Sequence, residues 1–322
     1  MKTFLKLIFL LAAVSGLAGC GLASGIAKDF GGYGEQLSGK IQPKEYDSYD
    51  SSVKFGGPDK SPAPIIQEVS VKNKYYKGIP RENDLAVVIG IEQYRGIPSS
   101  DFSSTDAAYM KAHLKAIGFE DRNIMFLAND QAALTDIRKA LESWLVNRVQ
   151  SDSTVFVYYS GHGAPDPSSG KAYIVPFDGD PNYLSTTAYP LSDLYSQLER
   201  LGAAKTIIIL DACFSGAGGR SVLAKGARAL VRMEKASPAL RGNVIVLSST
   251  QGAQISSSSP EKKHGIFTYY LMEALSKGKS DIADIYAYVK PKVENEARRM
   301  NVEQSPSLSL NADQARGKFR LW

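Results

Sequence analysis

Along much of the chain, continuous apolar runs alternate with apolar stripes at helical spacing. Leu85-Ala86-Val87-Val88-Ile89-Gly90-Ile91 is apolar throughout, the pattern of a strand buried on both faces. Shorter runs repeat it at 123–127, 155–159, 207–210 and 244–247. Between them, Ala107, Met110, Leu114 and Ile117 predict a helix that starts at Ser104 or Thr105 and stops at Gly118. Leu134, Ile137, Leu141, Trp144 and Leu145 predict a second helix, and residues 191–201, 267–275 and 282–293 three more. Strands alternating with helices specify an α/β fold with a mostly parallel sheet covered on both faces. In such sheets, functional residues gather beyond the carboxyl ends of the strands.

The first 80 residues are patterned differently. Lys2 and Lys6 precede or flank the apolar run Leu7-Ile8-Phe9-Leu10-Leu11-Ala12-Ala13-Val14. That run is short of the about 20 residues needed to span a bilayer, and it fits the core of a signal peptide. Leu17-Ala18-Gly19-Cys20 resembles the lipobox of bacterial lipoproteins. The resemblance implies a signal peptide over 1–19, with lipidation at Cys20. Residues 20–80 are rich in Gly, Ser, Pro and Tyr and weak in apolar periodicity, as expected of a flexible tether. Within it, 65–71 has the pattern of a short added strand. A domain over 81–322 follows. The implied location is a bacterial cell envelope, with the domain held at a membrane by its lipid. By analogy with enterobacterial sorting, Gly21 favours the outer membrane in a Gram-negative host.

Composition narrows the chemistry. Of 322 residues, 43% are hydrophobic and 22% charged, enough apolar content for a real core. The net charge of +5 is not concentrated in any basic block, so nucleic acid is not an expected partner. Two Cys, Cys20 and Cys213, exclude a disulfide framework and a Cys-rich metal site. The three His are His113, His162 and His264. His113 lies beside the apolar stripe of the first helix and reads as packing. His264, in a polar stretch, reads as solvated.

Two strand ends carry reactive groups. The third strand runs into Ser160-Gly161-His162-Gly163, and the fourth into Asp211-Ala212-Cys213-Phe214-Ser215-Gly216. A thiol with a pKa near about 8.5 needs a base to become a nucleophile, and an imidazole can later protonate a leaving amine. The N–H groups of Gly163 and Cys213 are placed to face a developing oxyanion. Neither Ser160 nor Ser215 sits in a Gly-x-Ser-x-Gly elbow.

Tyr159-Ser160-Gly161-His162-Gly163, with the Cys motif 51 residues after the His, resembles the caspase-like cysteine peptidases (peptidase C14), a superfamily of caspases, metacaspases and paracaspases. The opening strand, Asp106-Ala107 and Gly265-Ile266-Phe267-Thr268-Tyr269-Tyr270-Leu271 extend it from about residue 86 to 275. The resemblance implies a caspase-like three-layer sandwich around a mostly parallel six-stranded sheet, with His162 as general base and acid and Cys213 as nucleophile. It implies a cysteine endopeptidase acting on protein or peptide substrates. Asp211, two before the Cys, and Asp106 match the metacaspase and paracaspase residues that form an acidic pocket for Arg or Lys at the cleaved position. Asp106 is equally placed to cap the first helix, and Asp211 to brace the nucleophile loop; Asp101 is a weaker pocket candidate. In caspases the segment after the Cys is a linker cut during activation. Here it carries Arg220, Lys225, Arg228, Arg232, Lys235 and Arg241 and is expected to be exposed, although Val222, Leu230 and Met233 also allow a basic helix. No cofactor or metal is required by these residues; some metacaspases need calcium, and Asp178-Gly179-Asp180 is an acidic loop without a recognised calcium spacing. Nothing in the pattern specifies an oligomeric state. The alternative function is a catalytically silent, membrane-tethered binding module of the same fold.

Overall fold

A computed structural model describes residues 69–79, 81–215, 219–222, 240, 242–252 and 254–322. The expectations for the signal segment, Cys20, most of the tether and the basic residues from Lys225 to Arg241 fall outside these residues. The elements in chain order are β1 (Leu85–Gly90), α1 (Ser103–Ala116), β2 (Ile124–Ala128), α2 (Leu134–Arg138), β3 (Thr154–Ser160), β4 (Gly163–Pro165), β5 (Ala172–Ile174), α3 (Leu184–Thr187), β6 (Tyr189–Pro190) and α4 (Leu191–Glu199). There follow β7 (Lys205–Asp211), β8 (Val244–Ser248), β9 (Ser258–Ser259), β10 (His264–Gly265), α5 (Ile266–Ser276), α6 (Ile282–Arg299), β11 (Ser307–Leu308) and α7 (Ala312–Ala315).

The main sheet has six strands in the order β11-β8-β7-β3-β1-β2. All neighbours are parallel except β11, which pairs antiparallel with β8. This is the mostly parallel six-stranded α/β sheet expected from the sequence. The apolar runs are continuous because each strand feeds two cores. Ala86, Val88, Phe156, Tyr158, Ile207, Ile209, Ile245 and Leu247 point to the face covered by α1, α5 and α6. Val87, Ile89, Val155, Val157, Tyr159, Ile208, Leu210 and Val246 point to the face covered by α2 and α4. Strand side chains alternate between faces, so a strand clothed on both sides is apolar at every position.

The predicted second helix is α2 followed by one π-helical turn over Lys139–Trp144. The fifth helix, read as ending at 293, runs on to Arg299 through Pro291. Its N-terminus is capped by Asp281, whose carboxylate accepts the Ala283 N–H at 2.9 Å. The expected strand at 65–71 is absent over its described part, 69–71. The end of the segment read as tether lies on the domain, where Tyr76 packs against the core.

Candidate active site

Strands β3 and β7 are neighbours, with Ser160 registered opposite Asp211. Two residues beyond that rung, each chain delivers its reactive group, His162 from β3 and Cys213 from β7. The pairing puts both at one edge of the sheet. His162 is 2% exposed and Cys213 fully buried.

The His162 backbone is clamped on two sides. Its N–H donates to the Tyr94 hydroxyl at 2.7 Å, and its carbonyl accepts from the Tyr159 hydroxyl at 2.6 Å. Tyr94 also stacks on the imidazole at 4.9 Å between ring centroids. Nε2 lies 2.9 Å from the Pro98 carbonyl oxygen. A carbonyl only accepts, so Nε2 carries the proton and Nδ1 keeps its lone pair. Nδ1 is buried without a hydrogen-bond partner. Burial pushes the His162 pKa down, opposed by the Pro98 contact. The ring is therefore held neutral with a free basic nitrogen. A backbone carbonyl orients it, where a carboxylate would do so in a three-residue triad.

The Cys213 Sγ lies 3.0 Å from the Gln254 carbonyl and 3.1 Å from Ser215 Oγ. Facing a carbonyl acceptor, it is a thiol in this state. The N–H groups of Gly163 and Cys213 converge on one oxygen, the carbonyl of Arg220, at 3.0 and 3.1 Å. Both sequence-predicted oxyanion donors are thus brought together. A Cβ at Gly163 would stand 2.5 Å from the Cys213 carbonyl, so this approach needs glycine.

Asp106 and Asp211 are also brought together, but in a buried cluster and not on an open cleft. Both are 0% exposed, and between them lies the guanidinium of Arg220, itself 3% exposed. Nη1 of Arg220 is 2.9 Å from Asp211 Oδ2, and Nη2 is 3.1 Å from Asp106 Oδ2. Nη1 also donates to Ser160 Oγ at 2.9 Å, and Nη2 to the Asp101 carbonyl at 3.0 Å. Asp101 thus contributes its backbone, not its carboxylate. Burial works to lower the Arg220 pKa, but the Asp211 and Asp106 carboxylates outweigh it and the net shift is upward. Burial pushes the Asp106 carboxyl up, against the His264 hydrogen bond and the Arg220 charge. Gly265 leaves room for the guanidinium: a Cβ there would fall 2.7 Å from both Arg220 Nη2 and Asp211 Oδ2.

Three expectations need correction. Arg220 is not part of an exposed linker, because two carboxylates from distant elements bury it. His264 is not solvated: its Nδ1 is 2.7 Å from Asp106 Oδ1. Asp106 does not cap α1; the α1 N-cap position is Phe102 in the left-handed region, and the Asp106 carboxylate points into the cluster. His113 is packed, 4% exposed, as expected. The acidic loop is occupied with capping: Asp178 accepts the Leu134 N–H at 2.9 Å and Asp180 the Asn182 N–H at 2.8 Å. Among the described residues no group of three ligating side chains gathers around a metal-sized space, and no helix is long and apolar enough to cross a membrane.

Sequence reasoning missed Tyr94, Pro98, Gln254, Ser256 and Thr268. Ser256 Oγ donates to Asp211 Oδ1 at 2.7 Å and Thr268 Oγ1 to Oδ2 at 2.6 Å. Of these, only Thr268 sat inside a quoted motif.

The caspase domain family model matches residues 83–315, spanning the sheet, the His and the Cys. The chain belongs to the caspase domain family. A paracaspase of Dictyostelium discoideum is 26% identical over 202 residues, 61% of this chain. The match spans 45% of that protein, less than half its length. The crystal structure of protein GSU0716 from Geobacter sulfurreducens superposes with a TM-score of 0.51 at 18% identity, over 70% of this chain and 92% of that one. That likeness concerns the fold.

Proposed function

We propose that the chain is a cysteine endopeptidase that cuts after Arg or Lys, with Cys213 as nucleophile and His162 as general base and acid. The observation that carries this reading is the convergence of the Gly163 and Cys213 N–H groups on a single carbonyl oxygen, beside a thiol and a neutral imidazole. Two N–H donors around one oxygen are suited to the tetrahedral intermediate of acyl transfer. Nδ1 of His162 takes the thiol proton, the thiolate attacks the carbonyl carbon, and the imidazolium protonates the leaving amine. Water then hydrolyses the thioester with His162 as base. The preference for a basic residue rests on Asp106 and Asp211, which together already hold a guanidinium. No step draws on a cofactor.

Hydrolysis of a fluorogenic peptide with Arg before the cut tests the chemistry. Cys213→Ala and His162→Ala each lower kcat/KM by at least about 10³-fold while the thermal transition persists. Hydrolysis undiminished in Cys213→Ala ends the cysteine-peptidase reading, and no hydrolysis by folded wild type favours the silent binding module. We further propose that Cys20 is acylated and holds the domain at a membrane of a bacterial envelope, as Leu17-Ala18-Gly19-Cys20 suggests. Cys20→Ser then moves the protein from the membrane to the soluble fraction; an unmodified Cys20 in wild-type protein sinks the anchor.

A further inference from the structure

The fold gathers lysines that are scattered along the chain. Three ammonium groups surround the ring of Tyr288 on α6: Lys277 and Lys279 at 5.3 Å from its centroid, and Lys292 at 4.9 Å. All three are within range of the ring's negative face. A fourth, Lys74, stands 5.2 Å over the ring of Tyr75. Tyr75 lies against the turn between α5 and α6, where a Cβ at Gly278 would stand 2.6 Å from its Cγ. Glu273 is shared by Lys277 at 3.1 Å and Lys292 at 3.5 Å, and Asp281 is buried in the cap of α6. One turn on, Lys290 and Glu294 offset each other. Four cations thus share the charge of Glu273, and this face keeps a positive surplus.

Apolar side chains stand out among the lysines. Tyr75 is 46% exposed and Ile79 67%, and Lys72 and Lys77 on the same segment are exposed as well. Lysines interleaved with exposed tyrosine and isoleucine suit a lipid interface: the ammonium groups meet headgroups, and the apolar side chains reach the acyl boundary. Residues 20–68 join the domain through this same segment. Asn73 ties it to the end of α5, its Nδ2 donating to the Leu275 carbonyl at 3.5 Å. The other end of α5 begins beside Gly265, whose N–H donates to Asp106. The 11 residues of α5 therefore set Lys277 about 16 Å along the helix from that cluster. An occupant of the lysine face leaves the catalytic edge uncovered.

We propose that this lysine–tyrosine face is a docking surface for anionic lipid headgroups. The positive surplus supplies the attraction, and the entry of the tether on the same face supplies the proximity. The inference goes beyond the peptidase reading, and it rests on the proposed acylation of Cys20 only for what brings the membrane near. An acyl group at Cys20 makes the contact intramolecular, so a patch of weak intrinsic affinity suffices to seat the domain. The attraction is between exposed charges and is screened by salt, over a Debye length of about 10 Å at 0.1 M.

The test is flotation of the Cys20→Ser chain, which carries no acyl group at that position, with lipid vesicles. Vesicles mixing phosphatidylglycerol with phosphatidylcholine bind it at least about tenfold better than phosphatidylcholine alone, and less well as salt rises. The neutral vesicles report what the apolar run at 7–14 contributes. Adding Lys74→Gln, Lys277→Gln and Lys279→Gln together lowers affinity for the anionic vesicles at least about tenfold, with the thermal transition and arginyl-peptide hydrolysis kept. A matched triple, Lys139→Gln, Lys171→Gln and Arg200→Gln, removes the same charge from exposed positions elsewhere on the domain and retains the affinity. No preference for anionic vesicles, or an equal loss in both triples, overturns the inference and leaves the anchor and the peptidase reading standing. A first triple that loses binding to heparin but not to vesicles assigns the face to a soluble polyanion and overturns it too. An unmodified Cys20 in wild type sinks the anchor alone, because vesicle binding is read without it.

Discussion

Asp106, Asp211 and Arg220 form a buried triad in which every oxygen has a partner. Asp106 receives His264 on Oδ1 and the Gly265 N–H on Oδ2, while Asp211 receives Ser256 and Thr268 on its two oxygens. Buried charges are tolerated only when paired, and deleting one partner of a buried pair costs about 3–5 kcal/mol. The cluster is therefore preorganised for a cation: its carboxylates are braced from their other sides, and the Arg220 guanidinium bridges both. Asp106→Asn and Asp211→Asn each remove a charge-assisted contact worth about 1.5–3 kcal/mol, so kcat/KM for arginyl peptides falls about 10- to 100-fold. Cleavage after Asp gains nothing, because no cationic pocket is created. Peptides differing only in the residue before the cut provide the measurement, and a wild type that prefers Asp to Arg defeats the pocket assignment.

Among the elements, the long ones were legible and the short ones were not. Strands β1, β3, β7 and β8 announce themselves by unbroken apolar runs, since each is clothed on both faces. Helices α1, α4 and α5 show an apolar stripe at helical spacing. The two-residue strand β11, which completes the sheet against β8, is too short to show a period. The π turn after α2 shifts the helical phase without altering residue types, and α6 passes Pro291 because its buried stripe, Ile285, Val289, Val293 and Ala297, continues on the far side. His162, Gly163 and Cys213 were readable because strand ends in parallel sheets localise chemistry. Arg220 was not, because a basic residue in a Gly-rich stretch is ordinarily solvated. Its burial depends on Asp106 and Asp211, carried by α1 and β7 and far apart in sequence. His264 was misread for the same reason, its partner Asp106 lying 158 positions away. Gly90 permits that convergence: a Cβ there would meet Ala107 Cβ at 2.4 Å, so α1 lies close against β1 only with glycine at the strand's end.

For the whole molecule, a histidine far from any charge partner couples folding to pH. His113 on α1 is 4% exposed, its Nδ1 has no hydrogen-bond partner, and burial lowers its pKa from 6.5 to about 4. Between those values the unfolded chain holds a proton at this position that the folded chain does not. Stability from this site is fully present above 6.5 and is lost as the pH falls toward about 4. The full difference is worth about 3 kcal/mol, a large share of the net stability of an ordinary domain. His162, also lowered by burial, adds loss of the same sign. Because α1 carries both His113 and Asp106, acid loosening of this helix reaches the Asp106–Arg220–Asp211 cluster, the proposed substrate pocket, as well as the core. Urea unfolding at pH 7 and pH 5 separates the contributions. His113→Phe, a ring that cannot charge, has a smaller stability drop between the two pH values than wild type, by about 1–2 kcal/mol, with less acid loss of arginyl-peptide hydrolysis above pH 5. An equal drop in both proteins would show that His113 is protonated in the folded chain at no cost, and that acid sensitivity resides elsewhere.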